Sequence, residues 1–183
     1  PGPILLGLAS IQRNGGFRED RLSTYGGDSP TKLLLGPGDL FVSLKDVTQA
    51  ADLLGAVARV PEHVTSGRLT QDTVKLNFMT TEVSRELVYR TLLTPEYREY
   101  CRSNATGTTN LGLGRDDFLS YPIIRPGVQV ERAFDSTVKA LLQRGAAAVA
   151  EGLCLEALRA CLLPKLVGGE LQACGSLRMA DGE

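Results

Sequence analysis

The stretch that decides the fold is YPIIRPGVQVERAFDSTVKALL (121–142), because the hydrophobic pattern changes inside it. Before Pro126-Gly127 the chain has short apolar runs typical of strands. After it, apolar residues recur at spacings of three, four and seven, which is typical of an amphipathic helix. We therefore predict an α+β fold. A mixed domain with a twisted sheet occupies residues 1–130, one long helix occupies 131–166, and a tail follows at 167–183.

The predicted helix carries two apolar stripes. The first stripe is Phe134, Val138, Leu142, Val149 and Leu153, and the second is Leu155, Leu158, Leu162 and Leu166. A helix of about 30 residues is about 45 Å long, and we predict no strand after it on which it could fold back. Such a helix needs a partner helix; the alternative is that it lies on its own domain. The predicted helix interface is Val138, Leu142, Val149, Leu153, Leu158 and Leu162.

Glycines and one proline set the predicted stability and end of this helix. Gly145 and Gly152 each cost roughly 1 kcal/mol relative to Ala, so the helix depends on packing. Pro164 predicts a stop or kink, and Gly168-Gly169 predicts the end of the segment.

Toward the N-terminus the sequence predicts five strands. Residues 39–47 (DLFVSLKDV) alternate with period two, and the other predicted strands are 4–12, 54–60, 73–79 and 121–125. The Gly- and Pro-rich residues 13–38 and the segment 61–71 predict loops.

Two short helices are predicted between residues 82 and 104. Thr94 is a suitable N-cap and Pro95 suits the first helical position. The Gly- and Thr-rich segment 104–114 predicts a loop, and Asp116-Asp117 opens a brief helical turn.

Composition excludes several classes. The 183 residues are 43% hydrophobic and 22% charged, with 20 Lys and Arg against 21 Asp and Glu, so any nucleic-acid site must be a local patch. No apolar run reaches the ~20 residues of a membrane span, and no secretory signal is visible. The four cysteines lack C-x-x-C spacing, which predicts reduced thiols in a cytoplasmic protein and no zinc site.

The sequence offers little for covalent chemistry. His63 is the single histidine, lies in a predicted loop without a neighbouring nucleophile motif, and is expected to face solvent. The Gly-Leu-Gly at 112–114 lacks the spacing of a dinucleotide-binding loop. A hydrolase centred on His63 is therefore the weakest hypothesis. By contrast, residues 13–32 and 98–115 are rich in Arg, Lys, Asn and Thr, the side chains that contact phosphates and base edges.

The segment LRACLLPKLVGGEL (158–171) resembles the end of the long conserved helix in the specificity subunits of type I restriction-modification systems. GTTNLGLGRDDFLSYPIIRP (107–126) resembles the end of a target recognition domain in that family. PGDLFVSLKDVTQ (37–49), LGAVARVP (54–61) and the opening IQRNGGFREDRLSTYGG (11–27) are similar to other parts of such a domain. The chain departs from the family pattern at Ala160-Cys161 and at Gly145, Gly152 and Gly169.

The resemblance implies a non-catalytic, DNA-reading subunit. Each recognition domain of the family reads one half of a split target in double-stranded DNA, and paired helices set the gap. Methyl transfer belongs to methyltransferase (modification) subunits, which carry S-adenosylmethionine, and a restriction subunit that translocates DNA completes the complex. With one domain and one helix, this chain looks like half a subunit, so the second specificity half is another copy or a further part of the same polypeptide. The alternative is a helix-mediated assembly module, from a truncated or degenerate subunit, that does not read DNA.

The same resemblance, with the polar loops, predicts a DNA-reading surface on loops 13–25, 45–49 and 102–110. Arg18, Arg21 and Arg102 suit phosphates or guanines; Asn14, Gln49, Asn104 and Asn110 suit adenines. The full predicted set is Asn14, Arg18, Arg21, Tyr25, Lys45, Thr48, Gln49, Arg102, Asn104, Thr106, Thr108 and Asn110.

Overall fold

A computed structural model describes residues 2–80 and 83–169 of the chain. The fold is mixed α+β, with small sheets and a C-terminal helix, and the predicted class is confirmed at this level. The chain divides into two compact units, Pro1–Asp135 and a second that begins at Ser136.

Nine short strands form three three-stranded sheets within residues 2–80 and 83–169. In chain order they are β1 (Ile4–Leu6), β2 (Leu34–Leu35), β3 (Leu40–Ser43), β4 (Lys45–Asp46), β5 (Val57–Arg59), β6 (Gly67–Leu69), β7 (Thr73–Lys75), β8 (Ala105–Thr106) and β9 (Leu111–Leu113). The sheet orders are β1-β6-β2, β5-β3-β7 and β4-β9-β8. Only the β1–β6 pair among these strands is parallel.

The middle sheet lies between two hydrophobic cores. Side chains of successive residues on a strand point to opposite faces. Along β5, Ala58 packs into the first core with Leu6 and Phe41, whereas Val57 packs into the second core with Leu54 and Tyr97. All four residues of β3 are buried, so the period-two alternation in 39–47 belongs to a strand covered on both faces.

Most predicted strands are shorter in the structure. The predicted strand 4–12 ends at Leu6, because a 3-10 turn at Leu8–Ser10 follows, with the Ser10 hydroxyl donating to the Gly7 carbonyl at 2.8 Å. The predicted strands 54–60 and 73–79 shorten to β5 and β7. Leu44 separates β3 from β4 within 39–47.

The strand predicted at 121–125 is wrong. That segment has no strand pairing in the structure. Pro122 and Pro126 have no backbone N–H to donate to a ladder. Tyr121 and Ile123 instead pack against the second core from irregular backbone.

Four strands lie where the sequence predicted loops. β2 lies in 13–38, β6 lies in 61–71, and β8 with β9 forms a hairpin in 104–114. These strands have two or three residues each, too few to show a hydrophobic period.

The short helices follow their capping signals. α1 (Arg85–Thr91) begins after Ser84, whose hydroxyl accepts from Leu87 N at 2.9 Å. α2 (Pro95–Ser103) begins with the predicted N-cap Thr94 and with Pro95 in its first turn. α3 (Arg115–Leu119) is the brief turn predicted at Asp116-Asp117.

Two side chains of helix α2 hydrogen-bond to the backbone of the segment 51–55. The buried guanidinium of Arg98 donates to the carbonyl oxygens of Leu54 at 2.6 Å, Ala51 at 2.9 Å and Asp52 at 3.0 Å. The hydroxyl of the preceding Tyr97 donates to the carbonyl of Gly55 at 2.9 Å. Burial lowers the pKa of Arg98 and raises the pKa of Tyr97.

Helix α4 runs over Val128–Val167, 40 residues, which at 1.5 Å per residue is about 60 Å. It begins three residues before the predicted 131 and ends one residue after the predicted 166. It also continues past Pro164, so a stop at this proline is wrong, and both glycines lie in its interior. Gly168 N donates to the Pro164 carbonyl at 2.8 Å, and Gly169 has φ 74°, so the predicted glycine end is confirmed. The tail from Glu170 onward lies outside the described residues.

Glu131, in the first turn of α4, is nearly fully buried in the first unit. It accepts from Arg125 Nε at 2.8 Å and Nη2 at 3.1 Å, and from the backbone N–H of Ser84 at 3.2 Å. Asp135 accepts from the Ser84 hydroxyl. Hydrogen bonding by Arg125 lowers the pKa of Glu131.

We expect Arg98→Met to destabilise the first unit by about 3 kcal/mol, because three carbonyl oxygens lose a charged, buried donor. The free energy of unfolding in urea measures this cost. Arg102→Met, one turn further along α2, is the matched control and should cost about 1 kcal/mol or less, since Arg102 makes exposed ion pairs. Equal costs for the two variants would contradict the role given to Arg98.

We expect Glu131→Gln to destabilise the protein at neutral pH and to have less effect in acid. The folded-state pKa of Glu131 is lowered, so its stabilisation is complete above the unfolded value of about 4.3 and is lost as pH falls through the folded pKa. Urea unfolding of both proteins at pH 7 and pH 3.5 gives the two differences. A difference that does not shrink at pH 3.5 would exclude ionised Glu131 as the stabilising species.

Candidate nucleic-acid interface

The third sheet brings two of the predicted loops together. Lys45 on β4 and Thr106 on β8 both pair with Gly112 on the central strand β9. Directly opposed residues of antiparallel strands share a face, so these two side chains flank the same glycine. The Thr106 hydroxyl donates to the Gly112 carbonyl at 3.0 Å.

The start of the first predicted loop meets the C-terminal end of α2. Arg102 Nη2 donates to Asn14 Oδ1 at 3.2 Å and lies 3.8 Å from Asp52 Oδ1. The backbone N–H of Asn14 donates to the Asp52 carbonyl at 2.8 Å. Asn14 has φ 64°, a left-handed conformation that Asn tolerates better than most residues. Two predicted residues 88 positions apart are therefore in contact.

The 45–49 loop is held in shape by Asp46, which is fully buried. Its carboxylate accepts from Thr48 N at 2.8 Å, Thr48 Oγ1 at 2.9 Å and Leu53 N at 2.7 Å. Together with the Arg98 contacts, this carboxylate fixes both ends of the segment 46–54. Gln49 is exposed between them.

The hairpin turn between β8 and β9 presents Thr108 and Asn110, which are both exposed. Gly107 has φ 97°, and a Cβ there would lie 2.4 Å from the Asn110 carbonyl oxygen. This turn therefore requires glycine, and the glycine fixes how the two polar residues are presented.

Two further predicted residues, Arg18 and Asn104, use their side chains internally. Arg18 holds Asp20 through two bonds, Nε to Oδ1 at 2.6 Å and Nη2 to Oδ2 at 2.9 Å, and this contact raises the pKa of Arg18 and lowers that of Asp20. Asn104 follows the last residue of α2, and its Nδ2 donates to the Tyr100 carbonyl at 2.8 Å. Arg18 Nε, Arg18 Nη2 and Asn104 Nδ2 are therefore already bonded within the protein.

Arg21 and Tyr25 belong to a different neighbourhood. They line a groove with Arg68, whose guanidinium carbon lies 4.1 Å from the centroid of the Tyr25 ring. Sequence reasoning missed Arg68, because its strand is only three residues long and carries no motif. Arg98 was missed too, since no spacing distinguishes a buried arginine on a helix from an exposed one.

His63 is exposed on 60% of its side chain, and its Nε2 lies 3.8 Å from a Glu19 carboxylate oxygen. This is the environment expected of a surface histidine. Among residues 2–80 and 83–169, no group of three or more His, Cys, Asp or Glu side chains is placed to hold a metal ion.

The apolar stripes of α4 are largely uncovered. Leu142 is 45% exposed and Leu153 is 63% exposed, and Val149, Leu158 and Leu162 are exposed as well. Val138 is half-buried. None of the described helices is both long enough and apolar enough to cross a membrane.

Comparison with known proteins gives a likeness of fold. No family model matches the sequence, and no curated protein matches it. The fold is similar to that of a chain in a solved structure on complex assembly and conformational transition of a type I R-M system, with a TM-score of 0.51 and 13% identity. The match covers 94% of this chain and 44% of that one, so this chain spans less than half the length of its structural neighbour. At this identity, the likeness is one of fold.

Proposed function

We propose that this chain is a sequence-specific DNA-recognition module of a type I restriction-modification system, reading one half of a split target. The observation that carries the proposal is the fold shared with a chain of a type I R-M system over 94% of this chain. The resemblance of residues 158–171 to the end of the conserved helix of specificity subunits supports it from the sequence.

The proposed reading surface centres on the third sheet and the segments next to it. Gln49 and Asn110 carry exposed amides that suit an adenine edge. Lys45 and Arg102 supply positive charge for phosphates or guanine, and binding there exchanges the ion pairs that Lys45 makes with Asp72 and Arg102 makes with Asp52. The Oδ1 of Asn14 already accepts from Arg102, so Asn14 has a smaller part in this scheme. Exposed amides and charges on short, well-fixed loops can meet a base edge without a large ordering cost. The internally bonded Arg18 and Asn104 have a smaller part in this scheme.

In this proposal, the chain itself is not catalytic. Methyl transfer belongs to methyltransferase subunits carrying S-adenosylmethionine, which reach the target base by extruding it from the stack. A restriction subunit docks on the same assembly.

Helix α4 pairs with the helix of a second specificity half, either another copy or a further part of the same polypeptide. Its length of about 60 Å exceeds one DNA turn of about 34 Å, enough to separate two half-sites.

We expect alanine at Lys45, Gln49, Arg102 and Asn110 together to weaken specific DNA binding and to relax the methylated sequence. Each true base contact should contribute ~1–3 kcal/mol, while a phosphate contact should weaken all sequences equally. Sequencing of methylated bases in cells that carry the chain with its methyltransferase gives the target, and fluorescence anisotropy at several salt concentrations gives the phosphate contribution.

The control for this experiment is Lys32→Ala, which removes an exposed positive charge outside the proposed surface. The pair Arg18→Ala and Asn104→Ala tests the internally bonded residues and should change the target less. An unchanged affinity and an unchanged methylated sequence in the quadruple variant would place the reading surface on other loops.

The exposed stripe on α4 favours a second candidate, a helix-mediated assembly module that does not read DNA. The salt dependence of binding to duplex DNA distinguishes the two functions. A DNA-reading module loses affinity for duplex DNA as salt rises, with a slope set by the number of phosphates contacted. An assembly module pairs through α4 and has no such specific binding.

We expect Leu142→Asp to reduce pairing of α4 with the helix of the second specificity half, because an acid would be buried in the proposed helix pair. The matched control is Ala140→Asp, roughly 160° away around the helix. Sedimentation gives the mass of the complex, and circular dichroism reports whether the helix persists. If both variants assemble like the unmodified chain, the stripe is not the interface.

A further inference from the structure

A groove of about 690 Å³ lies beside strands β1 and β6 and the segment 21–25. Its apolar lining includes Leu5, Leu8, Leu33 and Leu69. This volume falls within the range of small-molecule sites, which are mostly apolar with a few well-placed polar groups. The polar groups here include two arginines.

The guanidinium of Arg68 makes few hydrogen bonds to the rest of the protein. It stacks on the Tyr25 ring at 4.1 Å, and its Nη1 donates to the Leu69 carbonyl at 3.3 Å. Its Nε is buried and has no hydrogen-bond partner among the described residues. A guanidinium that stacks on an aromatic ring can still present its terminal N–H donors to a planar oxyanion.

Arg21 adds a second positive charge at the same groove. Its side chain is 68% exposed, and its Nε lies 4.0 Å from Asp20. Arg18 already binds that carboxylate through two bonds. Asp72 also lines the groove, but Lys45 offsets its charge at 3.2 Å. The lining therefore favours an anion.

We propose that this groove binds a phosphate attached to a flat apolar body, which is the chemistry of a nucleotide. Arg21 and Arg68 hold the phosphate, and the base lies on the leucine surface near Tyr25. The nucleotide is either free in solution or a unit of a DNA strand; only the second source rests on the proposed DNA-reading function. Arg68 becomes a binding residue in both cases.

Calorimetric titration of the full chain tests the site with deoxyadenosine monophosphate, deoxyadenosine and inorganic phosphate as probes. For a free nucleotide, we expect the monophosphate to bind at least tenfold more tightly than either of the other two. Arg68→Gln and Arg21→Gln should each weaken it about tenfold or more, and Lys32→Ala should not. Arg21 is largely exposed, so its variant tests the site even if Arg68→Gln disturbs folding.

Anisotropy with a short oligonucleotide tests the second source. Two results together would support this source. The free nucleotide does not bind, and the oligonucleotide binds with an affinity that both arginine variants weaken. The proposal is overturned if nucleoside and nucleotide bind equally, if neither arginine variant changes binding, or if neither probe binds at millimolar concentration. Methylated-base sequencing of the two arginine variants keeps the hypotheses separate, because an unchanged target with lost nucleotide binding leaves DNA reading intact.

Discussion

The charged contact between Arg98 and three backbone carbonyls is the constraint on which the first unit depends. A buried guanidinium is costly unless its donors are satisfied. Here Nη1 and Nη2 donate to the carbonyls of 51, 52 and 54, while the buried Nε has no hydrogen-bond partner among the described residues. These bonds from Arg98 hold residues 51–55 in place, a segment that has no regular secondary structure. That segment contains Ala51 at φ 53° and Gly55 at φ 70°, and a Cβ at residue 55 would lie 2.4 Å from Cys101 Sγ. Helix, segment and middle sheet are thus mutually dependent.

The contact between Arg98 and the segment 51–55 also positions the proposed reading surface. Within the same segment, Leu53 N donates to the Asp46 carboxylate, and the Asp52 carbonyl accepts from Asn14 N. Side chains near 45–49 and residue 14 are therefore placed by contacts with this segment, whereas the turn at Gly107 fixes the presentation of Thr108 and Asn110. A rigid support lets exposed residues vary in identity without loss of the fold.

The sequence predicted well where the signal is local. The caps at Thr94 and Gly168-Gly169, the turn at Asp116 and the long helix all follow from neighbouring residues. It failed where the result depends on distant partners. Strands of two or three residues have no period to detect, and the 121–125 segment has strand-like composition but is bounded by prolines that cannot join a ladder. In the candidate site, the sequence selected Asn14 and Arg102 by residue type, yet their contact spans 88 positions. Nothing local shows that Arg68 stacks on Tyr25, 43 positions earlier, whereas the Arg18–Asp20 contact spans two positions and could have been expected from the sequence.

The position of β5 between the two cores has a consequence for cooperativity. Because Val57 faces one core and Ala58 the other, neither core can open locally without disrupting a strand that the other also requires. Partial unfolding of one half of this unit is therefore coupled to that of the other half. Amide hydrogens on β3 and β5 should exchange with a common opening free energy close to that of the whole unit, whereas loops at the surface open far more readily.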